Sequence, residues 1–340
     1  MPLGWQPFFQ QQLRHDEWDT AQPVRVVQQH RAEVVVSDGV NDFKLPVMPS
    51  IPELVVGDWL LLDDQGRCSR RLERKTCFSR KSAGARIEKQ LLSANVDTAF
   101  IVCSMNEDFN LNRIERYLSL VNESGASPVV ILSKSDLACD PGAFIARVQA
   151  LDPLLMVEAL DARSAADAVR LAPWIKSGET IVVLGSSGVG KSTLVNCLCA
   201  NSGQATGRIR ESDDKGRHTT TARALISIDE GGVIIDTPGM REIQLAENKT
   251  GISRTFSDIE ELAMQCRFSD CQHTNEPGCA VLGAVAAGRI EARRLTNYRK
   301  LLREEELNSA SISQRRESDR AFGKMVKAAI GESSRFKGRS

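Results

Sequence analysis

One short run limits the possible folds of this 340-residue sequence more than any other. The strand-forming residues TIVVL (180–184) lead directly into Gly185-Ser186-Ser187-Gly188-Val189-Gly190-Lys191-Ser192-Thr193, and then into the apolar stretch LVNCLCA. Strand, glycine-rich loop and helix in that order fit G-x-x-x-x-G-K-[ST], a loop that cradles phosphates. Its glycines let backbone N–H groups turn inward, and the helix N-terminus adds the positive end of its dipole. Lys191 is placed for the β- and γ-phosphates, and Ser192 offers a hydroxyl to Mg²⁺. A chain built around this run needs a strand buried in an α/β layer beneath the loop.

Two further segments extend the phosphate site. The strand GGVIID ends at Asp236 and is followed by Thr237-Pro238-Gly239. An acid at the end of an apolar strand can hold Mg²⁺ or its water, and the Gly239 N–H can turn toward a γ-phosphate. Between the two motifs lies Lys215-Gly216-Arg217-His218-Thr219-Thr220-Thr221. Thr220, or else Thr219 or Thr221, is expected to complete the Mg²⁺ shell; the bland alternative is a solvated, hydroxyl-rich loop.

The base is indicated by the strand PVVIL (128–132), which ends in Ser133-Lys134-Ser135-Asp136-Leu137 and resembles the N-K-x-D guanine motif. The Asp136 carboxylate can accept from both N1–H and the 2-amino group of guanine. Adenine offers an acceptor at N1 and has no 2-amino group, so it would leave a buried carboxylate unpaired. The Lys134 stem can lie along the base. Ser133 stands where the motif has Asn, so the amide that braces the phosphate loop is missing and weaker nucleotide binding is expected. The guanine motif also precedes the phosphate loop, whereas in ordinary small GTPases it follows. The order guanine motif, phosphate loop, threonines, D-T-P-G is a circular permutation, and it feeds the hydrolysis-sensitive loop directly into the C-terminal region.

Around this core the sequence divides in three. Residues 24–36, 42–48 and 54–62 are short β-type runs separated by turns, as expected of a small barrel of oligonucleotide-binding or SH3-like type. From about residue 95 strands alternate with helices, the pattern of a mostly parallel, helix-covered sheet with ligands at the strands' carboxyl ends. Strands are expected at Thr98–Cys103, Val129–Leu132, Met156–Ala159, Thr180–Leu184 and Val233–Ile235. Helices are expected at Arg113–Asn122, Gly142–Leu151, Ala165–Leu171 and Ser192–Ala200. After about residue 250 strand patterns cease and charged helical segments follow, at Arg289–Leu307 and Ser313–Ile330.

That last region holds Cys266, Cys271, His273 and Cys279 within fourteen residues. Three thiolates and an imidazole complete a tetrahedral Zn²⁺ shell with no open position, which makes a structural site. The other cysteines are scattered and suggest no disulfide framework. The formal net charge is zero, yet nine Lys/Arg crowd Arg67–Lys89 and eight crowd Arg315–Ser340. Two basic runs on a neutral chain suggest a polyanion met at defined places, against the bland reading of solvated faces. No signal-like h-region and no membrane-length apolar stretch is present, so a cytoplasmic protein with no membrane partner is expected.

The permuted motifs, the barrel in front, and the segment CRFSDCQHTNEPGC resemble the ribosome small-subunit-dependent GTPase A (RsgA) family. The likeness runs from LVVGDW (54–59) through NVDTAFIV (95–102) and HTTT to NEPGCAV. It implies an OB-type barrel over 1–85, a circularly permuted GTPase domain over 86–245 and a mostly helical zinc domain with a basic tail over 246–340. It also implies GTP/GDP as ligands, the 30S subunit and its 16S rRNA as partners, and a monomer whose hydrolysis the subunit stimulates. Ras-type GTPases carry a water-orienting Gln after the D-x-x-G glycine; here that residue is Met240, and the candidate for positioning water is His218. Two rival functions are an ATP-using P-loop kinase, which Asp136 argues against, and an RNA-binding module that senses nucleotide without turnover.

Overall fold

The computed structural model describes residues 3–30, 33–46, 51, 53–81, 89–199, 223–228, 231–236 and 248–309. The strands of the N-terminal part are β1 (Gln22–Gln29), β2 (Glu33–Ser37), β3 (Asp42–Pro46), β4 (Trp59–Leu62), β5 (Cys68–Arg71), β6 (Cys77–Lys81) and β7 (Lys89–Ala94). Those of the central part are β8 (Thr98–Ser104), β9 (Ser127–Ser133), β10 (Met156–Leu160), β11 (Thr180–Leu184), β12 (Arg223–Ser227) and β13 (Val233–Asp236). Helices are α1 (Pro7–Gln10), α2 (Glu17–Thr20), α3 (Leu111–Ser124), α4 (Pro141–Gln149), α5 (Ala165–Ala168) and α6 (Lys191–Cys199). They continue as α7 (Lys249–Thr255), α8 (Ser257–Ala263), α9 (Ala280–Ala286) and α10 (Ala292–Ser309).

Interior parallel strands are buried on both faces and read as unbroken apolar runs. TAFIVCS of β8 does so, buried at every position. The sheet runs β10-β9-β8-β11-β13, all parallel, and continues through antiparallel β12 into β1, β2 and β3. Alternate side chains enter different cores. Phe100, Val102, Val129 and Ile131 pack with Leu194 and Leu198 of α6. Ala99, Ile101, Val130 and Leu132 pack with Ile114, Leu118 and Val121 of α3. Asn110 caps α3 by accepting from Arg113 N at 3.1 Å, and Gly125 ends it in the left-handed region.

The expected central strands and helices form with one exception, their ends moving by no more than two residues. The exception is the predicted helix Ala165–Leu171. It makes one α-turn and passes into a 3₁₀ turn, Val169–Trp174, that contains Pro173. The N-terminal runs differ more. Residues 24–36 make two strands, β1 and β2, and only Trp59–Leu62 of the run 54–62 is strand. Gly57 has φ +96°, and a Cβ there would lie 2.1 Å from Ala94 O, so the preceding residues turn against β7. In the β1–β5 unit, β1 pairs with β2 and β4, β2 with β3, and β4 with β5.

The units are not separate in packing. Leu60 and Leu62 face the β1–β2 core, while Trp59 and Leu61 face Leu3, Phe9 and Val233. Ile252, Phe256, Ile259, Leu295 and Tyr298 of the C-terminal helices share a core with Ile101 and Val130. The predicted helix Ser313–Ile330 and the basic run Arg315–Ser340 lie outside the described residues, as does part of the first basic run.

Arg25 joins these parts at the centre. Its fully buried guanidinium donates to Leu3 O, Gly57 O, Asn95 O and Thr180 Oγ1. Burial lowers its pKa to about 10, so it remains charged at neutral pH. Arg25→Ala leaves these acceptors dry and unpaired, and is expected to cost about 3–5 kcal/mol; urea unfolding of the full chain measures it.

Candidate functional site

The parallel strands β8, β9, β10 and β11 all point their carboxyl ends to one edge of the sheet, where open α/β sheets bind ligands. These strand ends and that of β13, with the loops and the start of α6 that follow them, carry the described residues of the expected nucleotide site. Gly185 follows β11 with φ +144°, and a Cβ on it would lie 2.4 Å from Val102 O, so only glycine lets the loop pass β8 this closely. Val189 is buried beneath the loop, Ser187 and Gly188 are exposed, and Lys191 opens α6 with Ser192 and Thr193 beside it. The Lys191 ammonium donates to Ser186 O, within the loop it serves.

The guanine motif leaves β9 next to this loop. Ser133 is completely buried, and its hydroxyl donates to Val189 O at 2.6 Å. The brace expected to be lost with the motif's Asn is therefore present, made by a shorter side chain from the same strand end. Lys134 takes the left-handed conformation (φ 62°) and starts a 3₁₀ turn over Ser135–Leu137. This turn carries Asp136, whose carboxylate accepts from Arg163 Nη2 at 2.8 Å. Asp236 closes β13, beside β11 in parallel register. His218, Thr219, Thr220, Thr221 and Gly239 lie outside the described residues.

Sequence reasoning missed four charged residues at this edge. Arg113 donates to Ser186 Oγ in the phosphate loop and makes a two-pronged ion pair with Asp108, at 2.7 and 3.0 Å. That pair holds the Asp108 carboxyl below its usual range. Arg163 and Asp161 follow β10, which pairs with the guanine strand up to Leu160↔Ser133. The carboxyl-edge rule would have pointed to both loops, since each follows a recognised strand.

The cysteine cluster also assembles. Ligand atoms of Cys266, Cys271, His273 and Cys279 all lie within 4.8 Å of one another. Tetrahedral zinc with ordinary Zn–S and Zn–N bonds requires S···S of about 3.8 Å and S···N of about 3.6 Å. Cys266 Sγ and Cys279 Sγ are 3.8 Å apart, and His273 Nδ1 lies 3.6 and 3.4 Å from them. This set could hold a metal ion, with Nδ1 the imidazole atom that faces the Cys266 and Cys279 thiols. The loop is tied by Glu276, whose carboxylate accepts from the N–H groups of Thr274, Gln272 and Asn275. The Thr274 bond does most to lower its pKa, to about 2.

The basic run Arg67–Lys89 fares differently. Arg67 pairs with Asp63, Arg70 with Glu17, Arg74 with Asp58 and Lys75 with Asp97. Much of its described charge is neutralised within the chain, so the solvated or structural reading holds for these four.

The sequence model of the RsgA GTPase family matches residues 71–246, more than half of the chain. This chain belongs to that family. An ABC transporter model matches residues 171–330; it takes in the phosphate loop but begins after the guanine motif. Among curated proteins, the small ribosomal subunit biogenesis GTPase RsgA 2 of Vibrio parahaemolyticus is 48% identical over 97% of this chain and 92% of its own length. The small ribosomal subunit biogenesis GTPase RsgA of Mesorhizobium japonicum is 45% identical over 90% of each chain. The crystal structure of YjeQ from Thermotoga maritima aligns with TM-score 0.61 and 26% identity, covering 84% of this chain and 98% of its own. YloQ, a circularly permuted GTPase, shares the fold with TM-score 0.59 at 21% identity, over 88% of this chain and 99% of its own. The chain is a GTP-hydrolysing P-loop enzyme with a circularly permuted GTPase fold and a large mixed sheet.

Ser133→Ala removes the hydroxyl that reaches Val189 O from the guanine strand and leaves that buried carbonyl without its donor. A loss of about five- to fiftyfold in GDP affinity is expected from one unpaired buried acceptor, read by isothermal titration; Ser133→Asn should retain most of the affinity.

Proposed function

We propose that this GTPase binds the small (30S) ribosomal subunit late in its maturation, and that the subunit stimulates its hydrolysis of GTP. The observation that carries the proposal is the pairing of a braced guanine motif and phosphate loop with 48% identity over 97% of the chain to a small ribosomal subunit biogenesis GTPase. In this reading Gly185–Thr193 cradles the phosphates and Ser133–Asp136 selects guanine. Ser192, Asp236 and Thr220 (or Thr219 or Thr221) serve Mg²⁺, and Gly239 senses the γ-phosphate. Residues 1–85 act as an OB-type barrel, 86–245 as the GTPase domain and 246–340 as the zinc domain. The pairing of β1 with β2 and β4, and of β4 with β5, supports the OB assignment. Zn²⁺ is structural, holding the segment around residues 260–285.

The partner face on this reading is 16S rRNA. With the described charge of the first basic run largely paired internally, the zinc loop becomes the better described contact: Met264, Arg267 and Phe268 are exposed beside it, with Arg267 over the Phe268 ring. No helix among the described residues is long and apolar enough to cross a membrane, and we assign the protein to the cytoplasm as a monomer.

Co-sedimentation with purified 30S and 50S subunits, in GDP and in a non-hydrolysable GTP analogue, tests the partner; failure to sediment with 30S in either nucleotide overturns it. Multiple-turnover GTP hydrolysis with and without 30S tests the stimulation. With Met240 where Ras-type enzymes place Gln, water positioning falls to His218. His218→Ala is expected to bind GTP and 30S as the parent does and to lose most of the stimulated rate; undiminished stimulation removes His218 from the reaction. Chelation of zinc, or Cys271→Ser, should abolish 30S binding and spare basal hydrolysis, with metal analysis of the fresh protein near one zinc per chain.

A further inference from the structure

The guanine-selecting carboxylate already has a partner of guanine-like chemistry. Arg163 Nη2 donates to Asp136 Oδ2 at 2.8 Å. Guanine presents N1–H and the 2-amino group along one edge, which together form a cyclic guanidine unit. An arginine side chain presents the same N–H donors on an acyclic, charged guanidinium.

This arginine is held where it is. Asp161 accepts from Arg163 Nε and Nη2, each at 3.0 Å, and also from the Arg163 backbone N–H at 3.0 Å. The loop beneath is fixed in turn, since the Asp161 N–H donates to Asp167 Oδ2 at 2.8 Å and Ser164 caps α5. The adjacent ends of β9 and β10 set the two loops side by side. Asp136 is one-third exposed and Arg163 two-thirds exposed, so the pair is open to an incoming base.

We infer that Arg163 is a built-in competitor for the guanine site: its guanidinium holds Asp136 in place of the base edge and must yield when GTP or GDP binds. The inference rests on the reading of Asp136 as the base-selecting residue. Yielding costs little, because Asp161 keeps Nε and Nη2 engaged after Asp136 is given up. Arg163 therefore trims affinity without blocking entry, and it favours release of GDP. It acts differently toward adenine nucleotides. Adenine offers Asp136 no donor, so the carboxylate can keep its arginine while adenine is bound. Arg163 thus lessens the penalty that Asp136 imposes on the wrong base.

The experiment is a set of binding titrations with GDP, ADP and xanthosine diphosphate on the full chain and its variants. Arg163→Ala is expected to bind GDP about two- to fivefold more tightly, the range in which partly exposed ion pairs count. ADP binding should be unchanged or weaker, so base discrimination increases. Arg163→Lys keeps the charge with a single donor head and should fall between the two. In an Asp136→Asn background the effect of Arg163→Ala on nucleotide affinity should disappear. A role in supporting the loop would instead make Arg163→Ala bind GDP more weakly. Equal or weaker GDP binding in Arg163→Ala, or the same gain in the Asp136→Asn background, overturns the competitor. Asp136→Asn alone is the separate control: if it does not shift preference from GDP toward xanthosine diphosphate, the base-site reading fails, whatever Arg163 does.

Discussion

One buried cation ties the N-terminal segment and the β1–β5 unit to the central sheet. Arg25 leaves β1 and takes its acceptors from the N-terminal segment, the turn before β4, the end of β7 and the first residue of β11. A guanidinium out of water is tolerated only if its N–H groups find partners, so the four segments can be where they are only together. Trp59 adds its ring face to the same group, 5.5 Å from the guanidinium carbon. The last of those acceptors, Thr180, begins the strand that ends in the phosphate loop. The β1–β5 unit is thereby referenced to the phosphate loop through a strand of five residues, rather than through a linker.

A second buried charge does the same for the C-terminal helices. Glu115 of α3 is fully buried and accepts from Arg293, Arg294 and Asn297 of α10. Arg294 also reaches Asp258 of α8. Two residues before Glu115, Arg113 touches Ser186 of the phosphate loop. One helix of the GTPase unit therefore meets the phosphate loop at its start and the C-terminal unit along its length. The permutation places the C-terminal unit directly after the D-T-P-G segment in the chain, and α3 joins it to the phosphate loop by packing. At its far side α10 reaches the Cys₃His segment as well, where Arg299 donates to Thr274.

Most of the site was legible in the sequence because its chemistry is local. A phosphate loop needs its glycines, lysine and hydroxyl within nine residues, and a Cys₃His site here needs its ligands within fourteen. The interior strands β8 and β11 were legible because burial on both faces makes them nearly continuous apolar runs. What escaped depends on distant partners. Strand β12 pairs with both β13 and β1, and nothing in RALIS announces either. The turn at Gly57 was hidden inside an apolar run, since Leu54, Val55 and Val56 are buried without being strand.

Charge was the least legible property, and the reason is geometric. Arg70 and Glu17 are 53 positions apart, as are neither Arg74 and Asp58 nor Lys75 and Asp97, which are separated by 16 and 22. A count along the sequence therefore sees bases where the fold makes ion pairs. The same holds, in the opposite sense, at the guanine motif. Ser133 read as a lost brace because the comparison was made by residue type, amide against hydroxyl. The fold places the end of β9 close enough to the phosphate loop for a side chain with one rotatable donor to span the gap to Val189 O. Whether a side chain at this position braces the loop depends on whether its donor reaches Val189 O, and that distance is set by how β9, β8 and β11 pair in register, which no reading of five residues can supply.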